Sequence, residues 1–149
     1  MLTKIISTPG GYFVIALLAP VVEEVVFRGA ILRALLSSMQ SKWGAICISA
    51  ALFALIHFNP AQTPHAFLMG LLMGWVYLRT GSIVPGVVFH WANNTVAYLI
   101  AVAYPGDETK LVDIFGGNET AVIMSVVFSL CIFIPALFQL NIWTKKRGR

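Results

Sequence analysis

The chain has 149 residues, of which 58% are hydrophobic and 11% charged, with a formal net charge of +4. A soluble globular domain averages about half apolar and about a quarter charged, so this balance argues against one and for a single polytopic membrane domain, 1–149. Much of the positive charge sits in a C-terminal tail, Lys145, Lys146, Arg147 and Arg149, which suits a cytoplasmic anchor on anionic headgroups rather than a nucleic-acid partner.

Taken in chain order, the apolar runs predict an all-α transmembrane bundle of about five helices. The first covers about residues 10–36 and the second about 43–57. The third covers about 65–79, short of the roughly 20 residues of a full crossing. The fourth covers about 83–104 and the fifth about 120–143. The breaks "SSMQSK", "NPAQTP", "RTGS" and "YPGDETK" carry turn chemistry. Continuous rather than alternating apolar runs argue against a β-barrel. The opening "MLTKIISTPGG" lacks the small-residue cleavage pattern of a signal peptide. Cys47 and Cys131 lie within apolar runs and read as buried packing residues with no disulfide or metal spacing. Ala50, Ala51 and Ala54 on the second helix, and the GxxxG pair Gly70 and Gly74 on the third, allow close helix approach. Trp43, Trp75 and Trp143 near helix ends read as interfacial anchors, while Trp91 flanks His90. His65, beside Pro64 at a helix start, is expected to face the interface. Arg33, Lys42, Arg79 and the tail mark one membrane face. Asp107, Glu108, Asp113 and Glu119 crowd one loop on the other. Positive-inside counting then gives a multi-pass cell-membrane protein with a cytoplasmic C-terminus.

Charges are expensive inside a bilayer, so those within the apolar runs are functional candidates. "EEVVFR" places Glu24 and Arg28 four apart on one helix face, where they can pair. Glu23 points about 100° away, toward a different neighbour, with no cation on its own face. "FALIH" puts His57 one turn beyond Phe53, and "HWANN" puts His90 and Asn94 one turn apart. At about 1.5 Å per residue from the basic face, Glu24 lies about 14 Å deep, His90 about 16 Å and His57 about 22 Å. Three helices can therefore bring carboxylate, imidazole and carboxamide to one level, as a mid-membrane polar active site. A carboxylate in a low-dielectric pocket is a competent base near neutral pH, and Glu23 is the candidate. Arg28 would keep Glu24 ionised and rigid. His57 would orient the attacking water or bind a metal, and His90 and Asn94 would donate to the oxyanion. No serine or cysteine has an evident base partner, which disfavours a covalent route.

The same three stretches, "EEVVFR", "FALIH" and "HWANN", resemble the EExxxR, FxxxH and HxxxN motifs of the CAAX-protease and bacteriocin-processing family of membrane-embedded proteases, also called the Abi family. They place a catalytic core at 21–96. The resemblance implies an all-helical intramembrane endopeptidase acting on a peptide or protein C-terminal substrate at the bilayer. Eukaryotic relatives trim the last three residues of prenylated CAAX proteins, and bacterial relatives are linked to bacteriocin maturation and self-immunity. By motif position, Glu23 and His57 would activate water, His90 and Asn94 would stabilise the oxyanion, and Glu24 and Arg28 would support them. The family is named among metalloproteases, so Glu23, His57 and His90 are candidate ligands of a catalytic zinc. A metal-free glutamate mechanism would use the same residues. The alternative from a different class is a bacteriocin-immunity or peptide-binding membrane scaffold without essential catalysis, its acidic loop attracting a cationic peptide.

Overall fold

The first helix is shaped by Pro20, which has no N–H and whose ring presses on the carbonyl four residues back. The chain accommodates it without breaking: residues 11–38 form one helical run, α1, that alternates between wide and ordinary turns. A π stretch, Phe13–Leu18, comes directly before the α stretch Ala19–Glu24, which carries Pro20 in its first turn. A second π stretch, Val25–Leu32, holds Arg28, and an α stretch, Arg33–Ser38, completes the run. The computed structural model describes residue 8, residues 10–104 and residues 110–147. Asp107 and Glu108 of the acidic loop, the first seven residues and Arg149 of the basic tail lie outside the described residues, as do the side chains of Lys145, Lys146 and Arg147.

The structure is all-helical, with no strand among the described residues. α2 (Lys42–Leu55) starts at a Ser41 N-cap whose hydroxyl accepts from the Gly44 N–H at 3.0 Å. α3 (Thr63–Thr80) begins with Pro64 in its first turn and stops at Gly81, whose φ of 66° gives the left-handed C-terminal turn. α4 (Val84–Ala103) likewise carries Pro85 in its first turn. These three match the expected runs to within a few residues. A four-residue turn, α5 (Leu111–Ile114), was not anticipated; its start is closed by the Asp113 carboxylate accepting from the Lys110 N–H at 2.7 Å. α6 (Glu119–Arg147) is the longest helix and contains Pro135.

The closest packing is between α2 and α3. A methyl group added at Gly70 would meet the Cα of Ala50 at 2.9 Å, and one at Gly74 would meet a side-chain carbon of Ile46 at 3.0 Å. The expected small-residue contact is thus real. Around it lie two buried apolar groups: Phe27, Phe53, Ala54, Ala66 and Met73 toward one end, and Leu32, Ala45 and Ile46 toward the other. α6 lies against this core mainly through Arg79, which donates to the Asn141 carbonyl at 2.8 Å and the Thr144 hydroxyl at 3.1 Å.

Two helices are long and apolar enough to cross a membrane, Val84–Ala103 and Glu119–Thr144. The second leaves large apolar side chains open, with Phe128 68%, Ile134 61% and Phe138 66% exposed. A soluble protein rarely presents such a surface, whereas lipid accepts it. Cys47 and Cys131 are corrected here: both are exposed. An apolar run reports the surrounding medium as well as the core, and in this chain both cysteines are on outward faces.

Candidate functional site

The site is built around one buried ion pair. Glu24 is 0% and Arg28 1% exposed, and Arg28 Nη1 donates to Glu24 Oε1 at 2.6 Å. Arg28 Nη2 also donates to the Gly70 carbonyl at 3.2 Å, and its guanidinium lies 4.7 Å above the Phe53 ring. A buried pair is held by further contacts, here a hydrogen bond from α3 and a ring face from α2, although Glu24 Oε2 and Arg28 Nε are buried without a hydrogen-bond partner. Gly86 on α4 makes room on the other side, since a methyl group there would meet Glu24 Oε2 at 2.6 Å.

His90 on α4 joins this pair to Glu23. Its Nδ1 lies 3.3 Å from Glu24 Oε1, and its Nε2 lies 3.6 Å from Glu23 Oε2. Sequence geometry sent the two glutamates toward different neighbours. The structure gives them the same one, because an imidazole presents nitrogens on two edges and spans the angle between adjacent helical residues. Glu24 can only accept, so Nδ1 carries the proton and Nε2 faces Glu23. At 3.6 Å that second contact is too long for a direct hydrogen bond. Glu23 Oε2 is shielded and has no hydrogen-bond partner, although the side chain as a whole is 25% exposed. Glu23 is therefore the more accessible carboxylate, and Glu24 the anchored one.

Phe53 connects the second histidine. The ring is 1% exposed and packs edge-on against His57 at 4.9 Å and against His90 at 5.6 Å, and against Phe27 at 5.2 Å. His57 Nδ1 donates to the Phe53 carbonyl at 2.9 Å, which leaves Nε2 as the basic nitrogen of this half-buried ring. Among the described residues no hydrogen bond or ion pair joins His57 to Glu23 or His90. Asn94, one turn beyond His90, faces α1: its amide donates to the Ile15 carbonyl at 3.0 Å. Glu23, Glu24, Arg28 and His90 thus form one contiguous set. His57 is joined to it through Phe53, and Asn94 sits apart from it by direct contact.

The zinc expectation meets this geometry directly. A catalytic zinc takes three protein ligands. Among the described residues no group of three or more His, Cys, Asp or Glu side chains is spaced to hold a metal ion. Glu23, His57 and His90 are not placed as a three-ligand set. As arranged, these residues do not fit a zinc ion.

All three polar stretches fall within residues 6–96, and those residues match a family described as type II CAAX prenyl endopeptidase Rce1-like. The chain belongs to the Rce1-like family. It is thereby of the CAAX-type protease class, in keeping with its apolar surface. The Rce1-like match ends before α6, so the longest apolar helix lies outside it. No curated protein and no solved structure matches the chain. Four contributors to this Rce1-like site were not foreseen: the Phe53 ring between the two imidazoles, the Gly86 gap behind Glu24, the Gly70 carbonyl on Arg28 and the Ile15 carbonyl on Asn94. Phe53 was readable as the first residue of "FALIH". The other three rest on backbone approach between helices, which has no side-chain signature.

Proposed function

We propose that this protein is an intramembrane endopeptidase that hydrolyses peptide bonds near the C-terminus of membrane-associated, prenylated substrates through water activated by Glu23 and His57. The observation that carries this reading is Glu23 itself: a partly accessible carboxylate whose shielded oxygen has no hydrogen bond and faces an imidazole locked from behind by Glu24 and Arg28. Glu23 takes a proton from water as the hydroxyl attacks the scissile carbonyl. The free Nε2 of His57 accepts a hydrogen bond from the same water and orients it. His90 and the amide of Asn94 donate to the oxyanion. The proton held on Glu23 then passes to the leaving amine. Arg28 holds Glu24 in place, and Glu24 keeps His90 turned toward the reaction. In this reading α1, α2, α3, α4 and α6 are the five membrane-associated helices.

The test uses purified protein in detergent and a fluorogenic, farnesylated peptide ending in a CAAX sequence. Loss of a general base costs about 10²–10⁴ in rate. Glu23→Ala is expected to lose cleavage by that much while eluting as a folded, monodisperse protein. Wild-type cleavage by Glu23→Ala would remove the basis of the assignment. Glu23→Gln separates catalysis from sequestration: protection of cells against a cationic peptide by this variant would favour the scaffold reading instead.

A further inference from the structure

A second polar chain runs beside the site and reaches Asn94 through two residues given no catalytic role above, His65 and Asn93. His65 Nε2 on α3 lies 3.2 Å from Asn93 Oδ1 on α4. Asn93 Nδ2 lies 3.3 Å from Asn94 Oδ1, and Asn94 Nδ2 lies 3.0 Å from the Ile15 carbonyl on α1. The direction of every bond follows from its last member. A carbonyl only accepts, so the Asn94 NH₂ faces Ile15 and the Asn94 oxygen faces Asn93. The Asn93 NH₂ then donates to Asn94, its oxygen faces α3, and His65 must carry a proton on Nε2.

Pro20 explains why the Ile15 carbonyl is available. In an α turn that carbonyl would accept from the Ala19 N–H, which in this π stretch goes to Val14 instead. In a π turn it would accept from residue 20, and proline has no N–H. A carbonyl deprived of its helical donor is costly inside a membrane, and the Asn94 amide satisfies it.

We propose that His65 and Asn93 are positioning residues that hold the Asn94 carboxamide against the Ile15 carbonyl. Fixed at both ends, the amide has a single N–H left, in one orientation. The inference rests on reading Asn94 as an oxyanion donor. A flipped amide would turn its oxygen toward the Ile15 carbonyl and its NH₂ toward the Asn93 NH₂, and lose both hydrogen bonds.

The test follows kcat and KM on the farnesylated CAAX peptide for His65→Ala, His65→Gln, His65→Glu and Asn93→Ala, each alone and combined with Asn94→Ala. One hydrogen bond lost from a positioned group is expected to lower kcat about 5- to 10-fold with KM little changed. Glutamine, a donor, restores the rate, and glutamate as an acceptor does not. On the Asn94→Ala background the His65 and Asn93 substitutions cost nothing further, whereas a purely structural role would add its full effect. A readout independent of cleavage is the Asn94 side-chain NH₂ signal in ¹⁵N-asparagine-labelled protein, assigned by its loss in Asn94→Ala. It shifts in His65→Ala and returns in His65→Gln. An unmoved signal, an unchanged kcat or full additivity with Asn94→Ala would each overturn the relay. A wild-type protein that cuts no CAAX peptide would overturn the protease reading alone, leaving the relay to be decided by the NH₂ signal.

Discussion

Arg28 and Glu24 are charges without access to water, while Glu23 keeps a quarter of its side chain open. Their roles should therefore separate in stability as well as in activity. Removing one partner of a buried pair leaves the other uncompensated and costs about 3–5 kcal/mol. Arg28→Ala also takes the guanidinium off the Phe53 ring and off the Gly70 carbonyl. Glu23→Ala breaks no hydrogen bond and is expected to cost within about 1 kcal/mol. Unfolding by SDS in mixed micelles measures both. A Glu23→Ala protein less stable than Arg28→Ala would contradict this division between an anchored and a working carboxylate. The same atoms bear on the metal. A catalytic zinc on His90 and Glu23 would need a third protein ligand, and among the described residues no third His, Cys, Asp or Glu is grouped with them to hold a metal. Activity is thus expected to survive 1,10-phenanthroline, with far less than one zinc per chain by mass spectrometry. Loss of activity that added zinc restores would mean that the donors rearrange to bind it.

At the scale of elements, the two glycines of α3 look equivalent in sequence and differ in what they touch. A methyl at Gly70 meets the backbone of Ala50, which cannot move without shifting α2, and Gly70 also presents its carbonyl to Arg28. A methyl at Gly74 meets the side chain of Ile46, which can change rotamer. Gly70→Ala is expected to destabilise by about 1–3 kcal/mol, as overpacking does, and to impair cleavage. Gly74→Ala should cost less and leave cleavage intact. Equal effects in an SDS titration would show that α2 and α3 yield together. The contrast marks the limit of what sequence carries. Helix positions follow from apolar length and breakers, so α2, α3 and α4 were legible within a few residues. The Glu24–Arg28 pair was legible from its four-residue spacing. The π stretches of α1 were not: the first lies just before Pro20 and distorts the turn around it, and no residue type marks the second. For the same reason the Asn94 partner, a carbonyl exposed by that distortion, left no trace in residue type.

At the scale of the whole molecule, Arg79 bears on how the chain would thread a bilayer. Its bonds to Asn141 and Thr144 tie the C-terminal end of α3 to the C-terminal end of α6, so in a multi-pass arrangement both ends would lie at one membrane face. α4 starts at Val84, four residues after α3 ends at Thr80, and would therefore enter from that same face. His90 would then lie about 9 Å inside it, less than the roughly 16 Å counted from Arg79 because residues 81–83 are not helical, and α6, at about 1.5 Å per residue, is long enough to return across roughly 30 Å of hydrocarbon. Positive-inside counting makes this face cytoplasmic, since it also carries Arg33 and Lys42. In a background where Cys47 and Cys131 are serine, Ser82→Cys should react with a membrane-impermeant maleimide in inside-out vesicles. Asn118→Cys, just before α6, should react only from the outer side of intact cells. Labelling of both from one side would mean that α4 and α6 do not each cross, and the site would have to be reached from the bilayer plane instead.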